Sequence, residues 1–230
     1  MLKNRIYLFI TLYFVLLGLN SSAQILFDIG DYRNLSYIST GYNGAFENIT
    51  IGIARRDYVK LIKREVIGVL DISLPITNHF FTRHAIRKGF QMNLCNKGNF
   101  KIPFIFASSS IVRENHFYKF HDITAEFTIA PGIYTKKYSL GFDIRYELII
   151  FRLTKYTNAY LQEINPDARR HWENPYYSIA KVGVMAGINL KHFVLYIKSG
   201  YERNPIITKN YFPGYILFGF GYKFGTKPLK

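Results

Sequence analysis

Between Tyr138 and Arg152 apolar and polar residues alternate. Tyr138, Leu140, Phe142, Ile144, Tyr146, Leu148 and Ile150 form one set, and Ser139, Gly141, Asp143, Arg145 and Glu147 form the other. A strand sends successive side chains to opposite faces, so this spacing predicts one apolar face and one small, polar or charged face. A helix would scatter both sets around its circumference. The pattern recurs. Ile123, Ala125, Phe127 and Ile129 oppose Asp122, Thr124, Glu126 and Thr128. Val182, Val184, Ala186 and Ile188 oppose Lys181, Gly183, Met185 and Gly187. Phe193, Leu195 and Ile197 oppose Tyr196, Lys198 and Gly200. In 83–94, Ile86, Phe90, Met92 and Leu94 oppose Arg87, Gly89, Gln91 and Asn93, with Lys88 interrupting the apolar face.

Counted back from the end, strands are predicted near 213–224, 192–204, 176–190, 138–152, 120–134, 100–113, 83–95, 65–76 and 47–58. A tenth lies near 33–42, joined to its neighbour by Tyr42-Asn43-Gly44. Asn-Gly is a strong tight-turn signal. Ten is the expected count, with eight as the fallback if the first two segments stay out of the sheet. Short polar connections near 96–99, 135–137 and 191–192 then share one end. Longer ones near 77–82, 114–119, 153–175 and 205–212 share the other.

The predicted strands run to about 11–15 residues, where soluble strands average about five or six and a tilted bilayer crossing takes about 9–11. The polar face is rich in Gly, Ser and Thr, which suits a narrow lumen better than a solvent face, and Tyr and Phe recur near strand ends. The expected fold class is all-β: an antiparallel up-and-down transmembrane β-barrel, closed because lipid tolerates no unpaired strand edge. A soluble secreted barrel is the rival reading.

The N-terminus changes the compartment. Lys3 and Arg5 precede the uncharged run Ile6 to Leu19, and Ser21-Ser22-Ala23 follows. Such a run is too short for a spanning helix and has the layout of a secretory signal. The expected organisation is a signal peptide at 1–23, a periplasmic N-terminal segment at 24–32, the barrel at 33–224 and a basic tail at 225–230. The chain of 230 residues carries 30 Lys+Arg against 15 Asp+Glu, a formal charge of +15. That excess favours anionic partners, yet export and the lack of any nucleic-acid-binding pattern exclude nucleic acid. One cysteine, Cys95, rules out a disulfide framework, and no Cys/His spacing suits zinc. No cofactor or metal is expected. Gly219-x-Gly221 lies inside a strand with no following helix, so it is not a phosphate cradle.

The chain from 33 to 224 resembles the small outer-membrane β-barrel proteins of Gram-negative bacteria, in pattern rather than identity. The most specific element is the last strand, Tyr215 to Phe224, in which Gly219, Tyr222 and Phe224 resemble the terminal signal that barrel-insertion machinery reads. The tail Gly225 to Lys230 departs from members that end at that aromatic. The resemblance implies residence in the outer membrane.

Three functional readings follow. The first is a non-enzymatic barrel with a structural or partner- and ligand-binding role through its outer loops. Arg169, Arg170, Trp172, Tyr176 and Tyr177 of the longest loop have the composition of a recognition surface and suit anionic lipopolysaccharide. The second is a narrow diffusion channel for small or apolar solutes. Asp71, Arg87, Asp122, Glu126, Asp143, Arg145, Glu147, Lys181, Lys198 and Glu202 would face its lumen. A closed network of paired charges is the favoured reading of these ten, because buried charges need partners. The third is a lipid-modifying hydrolase. His79, His84, His116, His121 and His171 fall at the predicted outer end near Ser108, Ser109, Ser110, Asp122 and Glu126. A hydrolase needs hydroxyl, base and orienting acid in reach of one another, and no motif fixes that spacing here. Metal binding by His116, His121 and Asp122 is discounted likewise. The basic turn residues Lys60, Lys63, Arg64, Lys97, Lys136, Lys137 and Lys191, with Lys227 and Lys230 of the tail, suit inner-leaflet headgroups or a periplasmic partner.

Overall fold

The computed structural model describes residues 32–43, 46–76, 82–114, 116–173, 178–203 and 213–226. The expected signal peptide and, up to residue 31, the N-terminal segment lie outside these residues, as do Tyr176, Tyr177, His79 and the tail lysines; Tyr32, expected in that segment, is in the first strand.

Ten long antiparallel strands close on themselves. In chain order they are β1 (Tyr32–Asn43), β2 (Phe46–Val59), β3 (Arg64–Pro75), β4 (Thr82–Lys97), β5 (Phe100–Glu114), β6 (Tyr118–Ile129) with its short continuation β7 (Gly132–Tyr134), β8 (Tyr138–Tyr156), β10 (Ser178–Leu190), β11 (Phe193–Arg203) and β12 (Gly214–Thr226). The helix α1 (Asn158–Glu163) and the strand β9 (His171–Glu173) lie in the connection after β8. Each wall strand pairs with its sequence neighbour, and the seam joins β1 to β12 from Tyr32↔Thr226 to Asn43↔Tyr215. An even strand number brings both barrel ends of the chain to the short-turn end. Tight backbone there is taken up at Gly98, whose φ of +61° suits glycine.

The apolar faces point outward. Leu140 and Phe142 are each 57% exposed, while Asp143 between Phe142 and Ile144 is fully buried. Ile51, Ile53, Ile72, Ile86, Val182, Val184, Leu195, Phe218 and Phe220 continue the exposed belt around the wall. A folded monomer in water rarely shows contiguous apolar patches beyond a few hundred Å². This wall is the reverse of one built for water.

Two irregularities correct the simple alternation. Between β6 and β8 the register shifts at Ile123/Thr124, where Phe151 and Ile149 are the successive partners. Ile150 is the extra residue of that bulge. Ile149 therefore points inward, Phe151 outward and Arg152 inward, whereas unbroken alternation would aim Ile150 and Arg152 at the outside. A second shift, between Asn93 and Cys95, leaves half-buried Cys95 near the short-turn end as a free thiol.

The inside is also not polar throughout. Toward the short-turn end it holds an apolar cluster of Leu35, Tyr37, Ala54, Ile67, Val69, Ile105, Ala107, Ala130, Tyr134, Met185, Val194 and Tyr196. The face expected to be small, polar or charged is largely apolar here. The strands near this end are apolar on both faces, as in Val66-Ile67 and Val69-Leu70 of β3 or Phe193-Val194-Leu195 of β11. The interior face therefore packs as a core would.

Candidate functional site

Above the apolar floor the lumen is crossed by ion pairs. Arg87 of β4 reaches Asp71 of β3 at 2.8 Å and Glu126 of β6 at 3.2 Å. Arg145 of β8 lies 3.7 Å from Glu126 and 3.3 Å from Asp143. Lys198 of β11 approaches Asp143 at 3.5 Å. Lys181 of β10 pairs with Glu202 of β11 at 2.7 Å. Tyrosines extend the chain: Tyr37 of β1 donates to Asp71 at 2.8 Å and Tyr215 of β12 donates to Asp143 at 3.4 Å. These contacts link strands that are not neighbours in the wall, in one chain from β1 and β3 through β4, β6 and β8 to β11 and β12. Toward the longer loops Asp122 accepts from Arg113 and from Arg152, the latter at 2.6 and 3.1 Å, and Glu147 lies 3.8 Å from Arg113.

All ten charged residues read from the sequence as lumen-facing are buried. Arg56, Arg113, Arg152 and Lys223 are buried too and were not among the ten; Arg56 and Lys223 sit at the level of the floor, as cross-strand partners of Ile67 and Leu35. Alternation signalled three of these, since Arg56 follows Gly52 and Ala54 in phase, Arg113 follows Ser109 and Ile111, and Lys223 follows Gly219 and Gly221. Arg152 lies beyond the bulge. A polar cavity of about 80 Å³ remains beside the network, lined among others by Thr50, Ser73, Ser109, Glu147 and Lys181. Small side chains on β2, β3 and β5 leave that space, which suits a few water molecules.

Tyrosines fill the narrow lumen by lying over glycines. Tyr37 faces its cross-strand partner Gly52, where an added Cβ would sit 2.2 Å from the ring. Tyr196 faces Gly219 in the same way, at 1.9 Å. Either glycine replaced by any other residue would have to expel the ring. Gly219 of the terminal pattern therefore has a packing role inside the barrel, while Tyr222 and Phe224 of that pattern are exposed on the outside and stack 6.1 Å apart.

The connection after β8 is more ordered than an open loop. β8 continues to Tyr156, and β9 pairs back onto it through Arg152↔Glu173, Leu153↔Trp172 and Thr154↔His171. Thr157 caps α1 by accepting from the Tyr160 amide, a satisfied N-terminus of the usual kind. Tyr160 then packs on Tyr156 and Tyr118, with ring centroids 4.5 and 5.2 Å apart. Arg169 and Arg170 are exposed, as is Trp172 at 61%.

The histidines and hydroxyls do not form the triad considered from sequence. Asp122 and Glu126 lie inside the barrel, whereas His121, one residue from Asp122, faces outside. His116 is exposed, 3.8 Å from Glu163. Among the described residues no group of His, Cys, Asp and Glu is placed to hold a metal ion. One pair does meet: Ser110 Oγ and His121 Nε2 are 2.8 Å apart on the outer wall.

No family model matches the chain, and no curated protein matches its sequence. Among solved structures, the chain is similar to the translocator domain of the autotransporter NalP from Neisseria meningitidis. The likeness has 13% sequence identity and a TM-score of 0.41, covering 84% of this chain and 87% of that one.

Proposed function

We propose that the protein is an outer-membrane β-barrel with a sealed lumen that works at its loop end, as a scaffold for recognition rather than as a channel. The observation that carries this reading is the inverted wall around a lumen filled twice over. Exposed Ile, Val, Leu and Phe surround buried ion pairs, and beneath those lies an apolar floor in which Leu35, Val69, Ala107, Met185 and Val194 are at most 1% exposed. An outward apolar band belongs against acyl chains, and a close-packed layer across a narrow lumen, largely apolar with Arg56, Gln91, Thr128 and Lys223 buried beside Ile67, Ile105 and Leu35, opposes the passage of ions and water.

In this orientation the short turns, with Lys60, Lys63, Lys136, Lys137 and Lys191, face the periplasm and the anionic headgroups there, or a periplasmic partner. The exposed Arg169, Arg170 and Trp172 face outward, toward lipopolysaccharide or another anionic ligand. Delivery to the membrane through the insertion machinery would use the exposed aromatics Tyr222 and Phe224.

Membrane fractionation followed by planar-bilayer recording tests both halves of the proposal. The expected protein is recovered only with detergent, migrates differently on a gel before and after boiling, and gives no conductance steps above background. Monomeric protein in plain buffer would refute the membrane reading. Regular conductance steps would refute the sealed lumen and favour the diffusion channel.

A further inference from the structure

We propose that Ser110 and His121 form a nucleophile–base pair that cleaves fatty-acyl esters at the outer-leaflet surface of the barrel. This goes beyond the recognition reading and rests on the membrane orientation proposed there, while neither the ion network nor the floor takes part.

Depth is the first observation. The outward face of β5 runs Phe100, Ile102, Phe104, Phe106, Ser108, Ser110, Val112 and Glu114. Ser110 therefore sits where the apolar belt gives way to the charged rim, two positions short of Val112 and four short of Glu114, which pairs with Lys119 at 2.8 Å. Next to it runs an outward row of direct cross-strand partners, His84, Val112, His121, Leu153 and Trp172. Imidazoles and an exposed tryptophan suit the headgroup boundary. Ester bonds of membrane lipids lie at that depth.

Geometry is the second. The 2.8 Å separation of Ser110 Oγ and His121 Nε2 is hydrogen-bond reach for a base and its hydroxyl. Ser110 lies diagonal to both His121 on β6 and His84 on β4, because both histidines pair with Val112. The third observation is an adjoining outer groove of about 210 Å³, lined by Ile72, Leu74, His84, Ile86, Ser110 and Val112. It exists because the β3–β4 ladder stops at Ser73↔Ala85 while both strands run on. An acyl chain in that apolar groove would bring its ester carbonyl to Ser110, with His84 on the other flank to donate to the developing oxyanion.

The reaction is acyl transfer to water. Ser110 Oγ bonds to the carbonyl carbon as its proton passes to His121 Nε2. Collapse of the tetrahedral adduct breaks the ester C–O bond, and His121 returns the proton to the departing alkoxide. Water then attacks the acyl-serine through the same histidine, releasing the fatty acid and restoring the hydroxyl.

The test uses the full chain purified from membranes in detergent. One arm measures labelling by an alkyl fluorophosphonate; the others measure fatty-acid release from mixed micelles of diacyl phospholipid and, separately, of lipopolysaccharide. Ser110→Ala, His121→Ala and, as a control, Ser108→Ala are compared, each first checked for heat-modifiable migration. The expected result is labelling at Ser110 and release from at least one substrate. Loss in Ser110→Ala and His121→Ala should be about 100-fold or more, with Ser108→Ala unchanged. The substrate that is cleaved names the source of the ester. No labelling and no release from either lipid by folded protein would overturn the proposal. Labelling or release that persists in folded Ser110→Ala would overturn it equally, while leaving the sealed-barrel reading intact.

Discussion

Leu35, Val69, Ile105, Met185 and Val194 fill the lumen near the short turns, while Asp71, Arg87, Glu126, Asp143 and Arg145 fill it further along the same strands. Both layers are buried, yet they are held by different physics. The floor is close-packed and tolerates imperfect directions, since dispersion and exclusion of water are not directional. The ionic layer has no such latitude. Each charge is removed from water, and only a partner at hydrogen-bond distance offsets that cost. The difference teaches how a ten-stranded barrel divides its tasks: the floor seals, and the ion pairs tie together strands that the sheet itself leaves unpaired, as β4 with β6 and β8 with β11. Tyr37 joins the two layers, with its ring over Gly52 and its hydroxyl donating to Asp71.

The sharpest way to separate the layers is to remove one ion and leave its partners. Arg87→Ala removes the cation shared by Asp71 and Glu126, both at most 3% exposed, and leaves them the weaker Tyr37 and Arg145 contacts. Removal of one member of a buried pair costs about 3–5 kcal/mol. The expected outcome is a large fall in the urea midpoint of unfolding in detergent, read by the shift between folded and unfolded gel bands, with conductance still at background because the floor is intact. A midpoint within error of the parent would show that water in the adjoining cavity solvates the two carboxylates.

Breaking the floor should do the opposite. Leu35 and Val194 both press on the same strand at Gly221. Leu35→Ala alone should cost roughly 2–5 kcal/mol, as large-to-small changes in packed interiors do. Combined with Val194→Ala it should open a water path to the polar cavity, seen as leak of small ions from liposomes. Leak in Arg87→Ala but not in the floor variant would reverse the assignment of the seal.

These two layers were not equally legible. The ionic layer could be read because a charged residue every second position has nowhere to go but the inside once its neighbours face lipid; Asp143, Arg145 and Glu147 between Phe142, Ile144, Tyr146 and Leu148 show this directly. Strand number and the two faces followed from the same period. The floor was only partly legible: the phase of Lys198 already set Phe193 outward and that of Lys181 set Met185 inward, but alternation vanishes where both faces are apolar, and nothing in Val66-Ile67 itself says which residue points inward. Arg152 was hidden for another reason. The bulge at Ile150 reverses the phase, and a bulge depends on how β6 and β8 pair, not on a local signal. The Ser110–His121 contact joins two strands diagonally. Sequence placed hydroxyls and histidines at one end, but only the register between β5 and β6 brings this serine to this imidazole.

The smallest expected effect tests whether the ionic layer must be ionic. Lys181 and Glu202 meet at 2.7 Å, each about 5% exposed. Lys181→Met and Glu202→Gln should each destabilise singly, because each removes the charge that lies 2.7 Å from the other buried group. Together they remove both charges and keep nearly the same volume. Replacement of a whole buried pair is commonly neutral or stabilising, so the double variant should unfold within about 1 kcal/mol of the parent, or later. The coupling between the two sites, taken as a double-mutant cycle, should then be about 0.5–3 kcal/mol. A double variant that falls as far as the sum of the singles would mean that the two residues act through separate partners. The layer would then be a set of independent contacts rather than the cross-braced network that distinguishes it from the floor.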